Sequence, residues 1–103
     1  MAECAICEPI TAQQPVDAEE LALLCKALAH PARVKLLRHL AGIGTCYFGN
    51  LSDLLELAPS TTSQHVSILK DAGLIRGSAE VQRMCYCVDT ERLAKLKQLI
   101  QHL

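Results

Sequence analysis

The sequence predicts a mainly α-helical domain with one small β-hairpin, and three observations carry that expectation. Half the residues are apolar yet only three are aromatic, so the core has to be aliphatic, which suits helices better than strands. Apolar residues recur at helical spacing in five segments, each opened by an Asp, Asn or Pro fit to start a helix. Between Gly73 and Asp89 lies the one stretch that reads as a pair of strands. The 103 residues are enough for one domain, and so small a domain often gains stability by dimerising.

Residues 1–16 read as a flexible arm, with Pro9 and Pro15 and no periodicity, and residues 17–103 as the folded domain. Asp17 caps a first helix, with Glu20 three positions on as in a capping box. Leu21, Leu24, Cys25 and Leu28 form its stripe, which makes Cys25 a small core residue. Pro31 opens a second helix whose buried face is Val34, Leu37, Leu40 and Ala41, stopped by Gly42 and Gly44. A β-prone run, residues 45–48, precedes a third helix capped by Asn50, with Leu51, Leu54 and Leu55 inward. After a turn at Ala58-Pro59, a fourth helix runs to Ala72 on a Thr62/Val66/Leu69 stripe, and Gly73 stops it. Residues 74–78 and 81–88 read as strands around a tip at Ala79-Glu80. A last helix begins near Asp89 or Thr90, with Leu93, Leu96, Ile100 and Leu103 as its stripe and Leu99 beside it.

Two short helices joined by a tight turn and followed by a hairpin make a winged helix-turn-helix, whose second helix can enter a DNA major groove. The outward residues of the fourth helix fit that task. Ser60, Thr61, Ser63, Gln64 and Ser67 are short hydroxyl or amide side chains, able to approach DNA and bond phosphates or base edges. His65 and Lys70 flank them, and Arg76, Gln82 and Arg83 on the hairpin can reach the backbone or minor groove. Ser and Thr are mediocre helix formers, so their density in this first turn argues against an idle solvent face. Charge agrees. Residues 1–20 carry five acids and no Lys or Arg, while residues 21–103 carry ten basic against six acidic residues, +4 per chain.

No apolar run approaches the ~18 residues of a membrane span, and no basic-then-apolar leader opens the chain, so the expected location is cytoplasmic. No βαβ unit, nucleotide loop or triad spacing points to an enzyme. The competing class is a winged-helix protein-interaction module without a sensor site. That would favour an aliphatic recognition helix, which this one is not.

Three segments give the chain a family resemblance. They are Lys26-Ala-Leu-Ala-His-Pro-Ala-Arg-Val-Lys-Leu-Leu37, Asn50-Leu-Ser-Asp-Leu-Leu55 and Pro59-Ser-Thr-Thr-Ser-Gln-His-Val-Ser-Ile-Leu-Lys-Asp-Ala-Gly-Leu-Ile75. With them the chain resembles the ArsR-type (arsenic repressor) family over residues 17–103. The resemblance implies a homodimer through the first and last helices, and repression by binding double-stranded operator DNA that an inducer or thiol chemistry reverses.

The family's usual sensor ligands do not carry over. Cys46 stands one residue before the first Cys of the usual Cys-x-Cys, and Tyr47 and Gly49 fill the expected ligand positions. Thr90 and Arg92 stand where the last-helix zinc site would have Asp and His, leaving His102 alone. Pairing the short strand with the second wing strand suggests another cluster. Cys85 and Cys87 share one side of a strand, and Cys46 across from them would make three thiols. Three thiolates suit As(III) or Sb(III), whereas Zn or Cd would want a fourth donor, and converging thiols could instead answer an oxidant or persulfide. Strand cysteines packed beside the core remain the alternative. Cys4 and Cys7 form a Cys-x-x-Cys in the arm, either a chelating pair or an uncommitted segment.

Overall fold

A computed structural model describes residues 15–44, 47, 49–80 and 83–103. Its elements are α1 (Ala18–Ala27), α2 (Pro31–Ile43), α3 (Leu51–Leu55), α4 (Pro59–Asp71), β1 (Ile75–Glu80), β2 (Arg83–Val88) and α5 (Thr90–Gln101).

Local chemistry sets most of the boundaries. Asp17 Oδ1 accepts from the amides of Glu19 and Glu20, each at 3.1 Å, and so starts α1. Glu20 does not complete the capping box: its Oε1 receives Arg92 Nη1 of α5 at 2.6 Å instead. His30 Nδ1 accepts from the Ala32 amide at 3.0 Å, with Pro31 in the first turn of α2. Asn50 caps α3 through Ser52 N at 2.9 Å, and Asp89 caps α5 through Arg92 N at 3.0 Å. Gly73 follows α4 at φ +81°, a conformation that carries a penalty for any residue with a Cβ.

The core is aliphatic. Leu24, Leu36, Leu40, Leu69 and Leu74 are fully buried, joined by Leu21, Ala27, Leu37, Leu51, Leu55, Val66, Ile75, Leu96 and Leu99. Truncating one such leucine to alanine costs about 2–5 kcal/mol. Three expected stripes are rotated. α1 buries Leu21, Leu24 and Ala27, which turns Cys25 outward. α2 buries Leu36, Leu37 and Leu40, leaving Val34 and Ala41 exposed on either side. α5 buries Leu96 and Leu99, with Ile100 51% and Leu103 72% exposed. In each helix the apolar residues span more than one 100° sector, and the packing partner selects which sector turns inward. α1 and α5 touch each other, and Leu23 on α1 is also 51% exposed.

β1 and β2 form an antiparallel hairpin in the register Ile75↔Val88 through Glu80↔Arg83. The expected tip is thereby corrected: Ala79 and Glu80 lie inside the ladder, and the chain reverses after Glu80. Nothing in the local sequence marks the reversal with the Asn-Gly or Gly-x pairs that signal tight hairpins. Tyr47 adds a third backbone to the sheet. It exchanges hydrogen bonds with Tyr86, N to O at 2.8 Å and O from N at 3.0 Å.

Arg92 ties the last helix to two others. Besides Glu20 of α1, its Nε donates to the Ala72 carbonyl at the end of α4, at 3.1 Å.

Candidate nucleic-acid interface

α3 and α4 meet through a turn in which Glu56 adopts a left-handed conformation, φ 55°, ψ 40°. Pro59 then begins α4, which has no side-chain cap. Thr62, Val66 and Leu69 bind α4 to the core. The opposite side leaves Ser60, Ser63, Gln64, Ser67 and Lys70 exposed and Thr61 half-buried. No carboxylate interrupts α4 before Asp71, so the face offers hydroxyls, one amide and one ammonium.

His65 does not belong to that face. The sequence set it beside the outward residues, but it is only 8% exposed and packs against α2. Its ring lies 4.4 Å from that of His30, tilted by 42°, and Arg33 Nη1 approaches its Nδ1 at 3.2 Å. A guanidinium can only donate, so Nδ1 accepts and the neutral ring carries its proton on Nε2. Burial, then the charges of His30 and Arg33, hold the His65 pKa below its ordinary value. Arg33 also donates through Nε to the Ala27 carbonyl at 2.7 Å and through Nη2 to that of Lys26 at 3.4 Å. One side chain therefore serves the last carbonyls of α1 and the inner side of α4. Sequence reasoning missed this role of Arg33. The available signal was an arginine one turn after a helix that leaves unsatisfied carbonyls.

The wing residues divide. Arg76 sits at the foot of the hairpin, where Nε and Nη2 both donate to Asp89 Oδ2, at 3.1 and 2.9 Å. Asp89 is held below the usual carboxylate range, first by the Arg92 amide and then by Arg76. Arg76 stays exposed while paired. Gln82 lies outside the described residues, and Arg83 is described only through its backbone pairing with Glu80.

Between α4, the start of α3 and β2 lies an open cavity of about 360 Å³, lined among others by Asn50, Thr62, Ser63, Ser67, Lys70 and Tyr86. The Thr62 Oγ1 at this wall is buried and has no partner, in a residue only 5% exposed. A buried hydroxyl left unpaired costs about 1–3 kcal/mol.

Of the cysteines, Cys85 is buried in the sheet and disulfide-bonded, while Cys87 is half-buried with a free thiol and Cys25 is free and exposed. Cys85 and Cys87 occupy alternate positions of β2, opposite Ser78 and Arg76. Cys4, Cys7 and Cys46 lie outside the described residues. Among the described residues no group of three His, Cys, Asp or Glu side chains fits a metal ion.

Known proteins share this architecture. A family model described as a helix-turn-helix domain matches residues 28–78. The HTH-type transcriptional regulator YgaV of Escherichia coli K12 is 38% identical over 80 residues, covering 78% of this chain and 81% of YgaV. The biofilm growth-associated repressor of Agrobacterium fabrum is 35% identical over 77% of this chain and 67% of its own length. Among solved structures, Mb0332 from Mycobacterium bovis superposes with a TM-score of 0.65 at 27% identity, over 81% of this chain and 76% of that one. It is described as a homodimeric winged helix-turn-helix DNA-binding domain of a possible ArsR-family transcriptional regulator.

Proposed function

The chain belongs to the ArsR-type family of winged helix-turn-helix transcriptional regulators, and on that footing we propose that it is a homodimeric repressor whose α4 reads the major groove of an operator. The observation that carries this reading is the split of α4: Thr62, Val66 and Leu69 go to the core, while Ser60, Ser63, Gln64 and Ser67 stay outside. A helix anchored on one side and lined with short hydrogen-bonding groups on the other can lie close to base edges. Two such helices on a two-fold axis meet successive grooves about 34 Å apart. The proposed contacts are Ser60, Thr61, Ser63, Gln64, Ser67 and Lys70, with Arg76, Gln82 and Arg83 from the wing. His65 leaves the list because it faces α2.

The inducer in this reading is a thiol oxidant or persulfide, acting at Cys46, Cys85 and Cys87, with Cys4 and Cys7 as a second candidate pair. A disulfide at Cys85 beside a free thiol at Cys87 supports sulfur chemistry in the sheet, and the Tyr47–Tyr86 bridge sets Tyr47, which follows Cys46 in sequence, alongside β2. Closing two thiols to a disulfide releases two protons and passes two electrons to the oxidant. The wing and α4 share this sheet as their base, so the change would reach the DNA-facing elements. The test is fluorescence anisotropy of a duplex from the region upstream of the coding sequence, against an unrelated duplex. Expected is tighter, salt-dependent binding to the first, reversed by persulfide or peroxide and preserved in Cys85→Ser. Absence of duplex binding would overturn the repressor. Release by As(III) or Cd(II) alone would replace the oxidant with a metal.

A further inference from the structure

The cavity between α4 and the hairpin is a polar notch with a single charge. Its lining holds the hydroxyls of Ser63 and Ser67, the Asn50 amide, the phenol-bearing Tyr86 and the Lys70 ammonium, and no Asp or Glu. At one wall the Thr62 Oγ1 is buried without a partner. Lys70 is exposed, yet its ammonium leans on the hairpin. It lies over Gly77 of β1, where an added Cβ would come within 3.2 Å of its Nζ and 3.3 Å of Tyr86 Cε1. Gly77 pairs directly with Tyr86 across the hairpin. The missing side chain thus leaves the room in which the ammonium rests against the wing, and among the described residues no carboxylate forms a salt bridge with it.

We propose that this notch seats one phosphodiester of the DNA backbone in each half-site, with Lys70 as its cation and Ser63, Ser67 and Tyr86 as hydrogen-bond donors. The inference rests on the major-groove reading of α4 and deepens it. Lys70 is at the C-terminal end of α4, against the sheet, whereas base edges are met by the N-terminal residues of a recognition helix. A strand bordering the groove that α4 enters has to pass between α4 and the wing, and the notch opens there. A single ammonium among neutral donors matches one phosphate charge and carries no base information.

The test compares wild type with Lys70→Gln and Gly77→Ala on an operator duplex and on an unrelated duplex across a salt series. Lys70→Gln is expected to weaken both duplexes by the same factor, about tenfold. It should also flatten the slope of log K against log salt by about 1.8 for the two phosphates of a dimer. Gly77→Ala should do part of the same with the helical circular dichroism unchanged. An unchanged slope in Lys70→Gln, or a loss confined to the operator, overturns the assignment, the second by making Lys70 a base reader. In a parallel arm, inorganic phosphate replaces chloride at constant ionic strength and should not displace the duplex. Displacement from wild type but not from Lys70→Gln would make the notch a free-anion site instead. If wild type binds no duplex at all, the α4 reading itself falls; if wild type binds and Lys70→Gln is indistinguishable from it, the notch alone falls.

Discussion

Arg33 Nη1 meets Nδ1 of His65 at 3.2 Å, so the inner side of α4 rests on a residue that also holds the last two carbonyls of α1. Removing Arg33 takes the side-chain donor from the Ala27 carbonyl and the His65 ring nitrogen and leaves the Lys26 carbonyl with its bond from the Ala29 amide. Arg33→Ala is expected to destabilise the fold by about 2–3 kcal/mol, read by urea unfolding. Arg33→Lys should recover only part of that, because one ammonium cannot copy the guanidinium's geometry. An Arg33→Ala variant as stable as wild type would remove the strut.

The same contact makes stability depend on pH. Burial, with His30 and Arg33 both facing the ring, lowers the His65 pKa in the folded state, so the unfolded chain binds the proton more readily. The stabilisation is then complete above the ordinary imidazole value of about 6.5. It drains away as pH falls from there through the lowered folded value. Urea midpoints at pH 7.5 and 5.5 should differ in wild type and differ less in His65→Gln. Equal pH dependence in the two proteins would contradict this.

Gln64 is the exposed amide on the outward side of α4, the side proposed to face the groove. Gln64→Ala is expected to cost about 1–3 kcal/mol on the operator and to relax preference at one base pair. Arg83→Ala should weaken all duplexes alike. A binding selection over randomised sites separates the two behaviours, and an unchanged preference in Gln64→Ala would sink the proposed orientation of α4.

Leu23 on α1, Ile100 on α5 and Leu103 just past its end leave apolar surface beside the contact of the two helices. Sedimentation at micromolar concentration should give a dimer, and Leu23→Ser with Ile100→Ser should shift it towards monomer while helicity persists. A monomeric wild type would remove the two-fold arrangement on which the half-site spacing depends.

Glu56 holds a left-handed conformation that glycine adopts without penalty. Glu56→Gly should therefore stabilise the protein by about 0.5–1 kcal/mol despite the looser unfolded chain, a rise of several degrees in the thermal midpoint. A lower midpoint would show that the Glu56 side chain contributes more than its backbone costs.

The boundaries were legible because caps are local chemistry. Asp17, Pro31, Asn50, Pro59 and Gly73 each act on backbone within one turn, and the sequence contains everything they need. The inward faces were less legible. Cys25, Val34 and Ile100 fit their stripes by spacing, yet the tertiary partner turned each of them out. His65 shows the same limit at the candidate site. Its position on the helix was readable, but its burial depends on Arg33 and His30, thirty residues or more away in sequence. The hairpin tip was misplaced because no turn residue announced it.

Arg92 joins Glu20 on one side and the Ala72 carbonyl on the other, and this gives the molecule a mechanical property. α5 is braced against the C-terminal end of α4 by a rigid planar group with a foothold on α1. If two chains meet at α5 as proposed, torque there would be delivered to α4 at its C-terminal end, opposite the end proposed to meet the bases, so that a small twist would swing that tip through a wider arc.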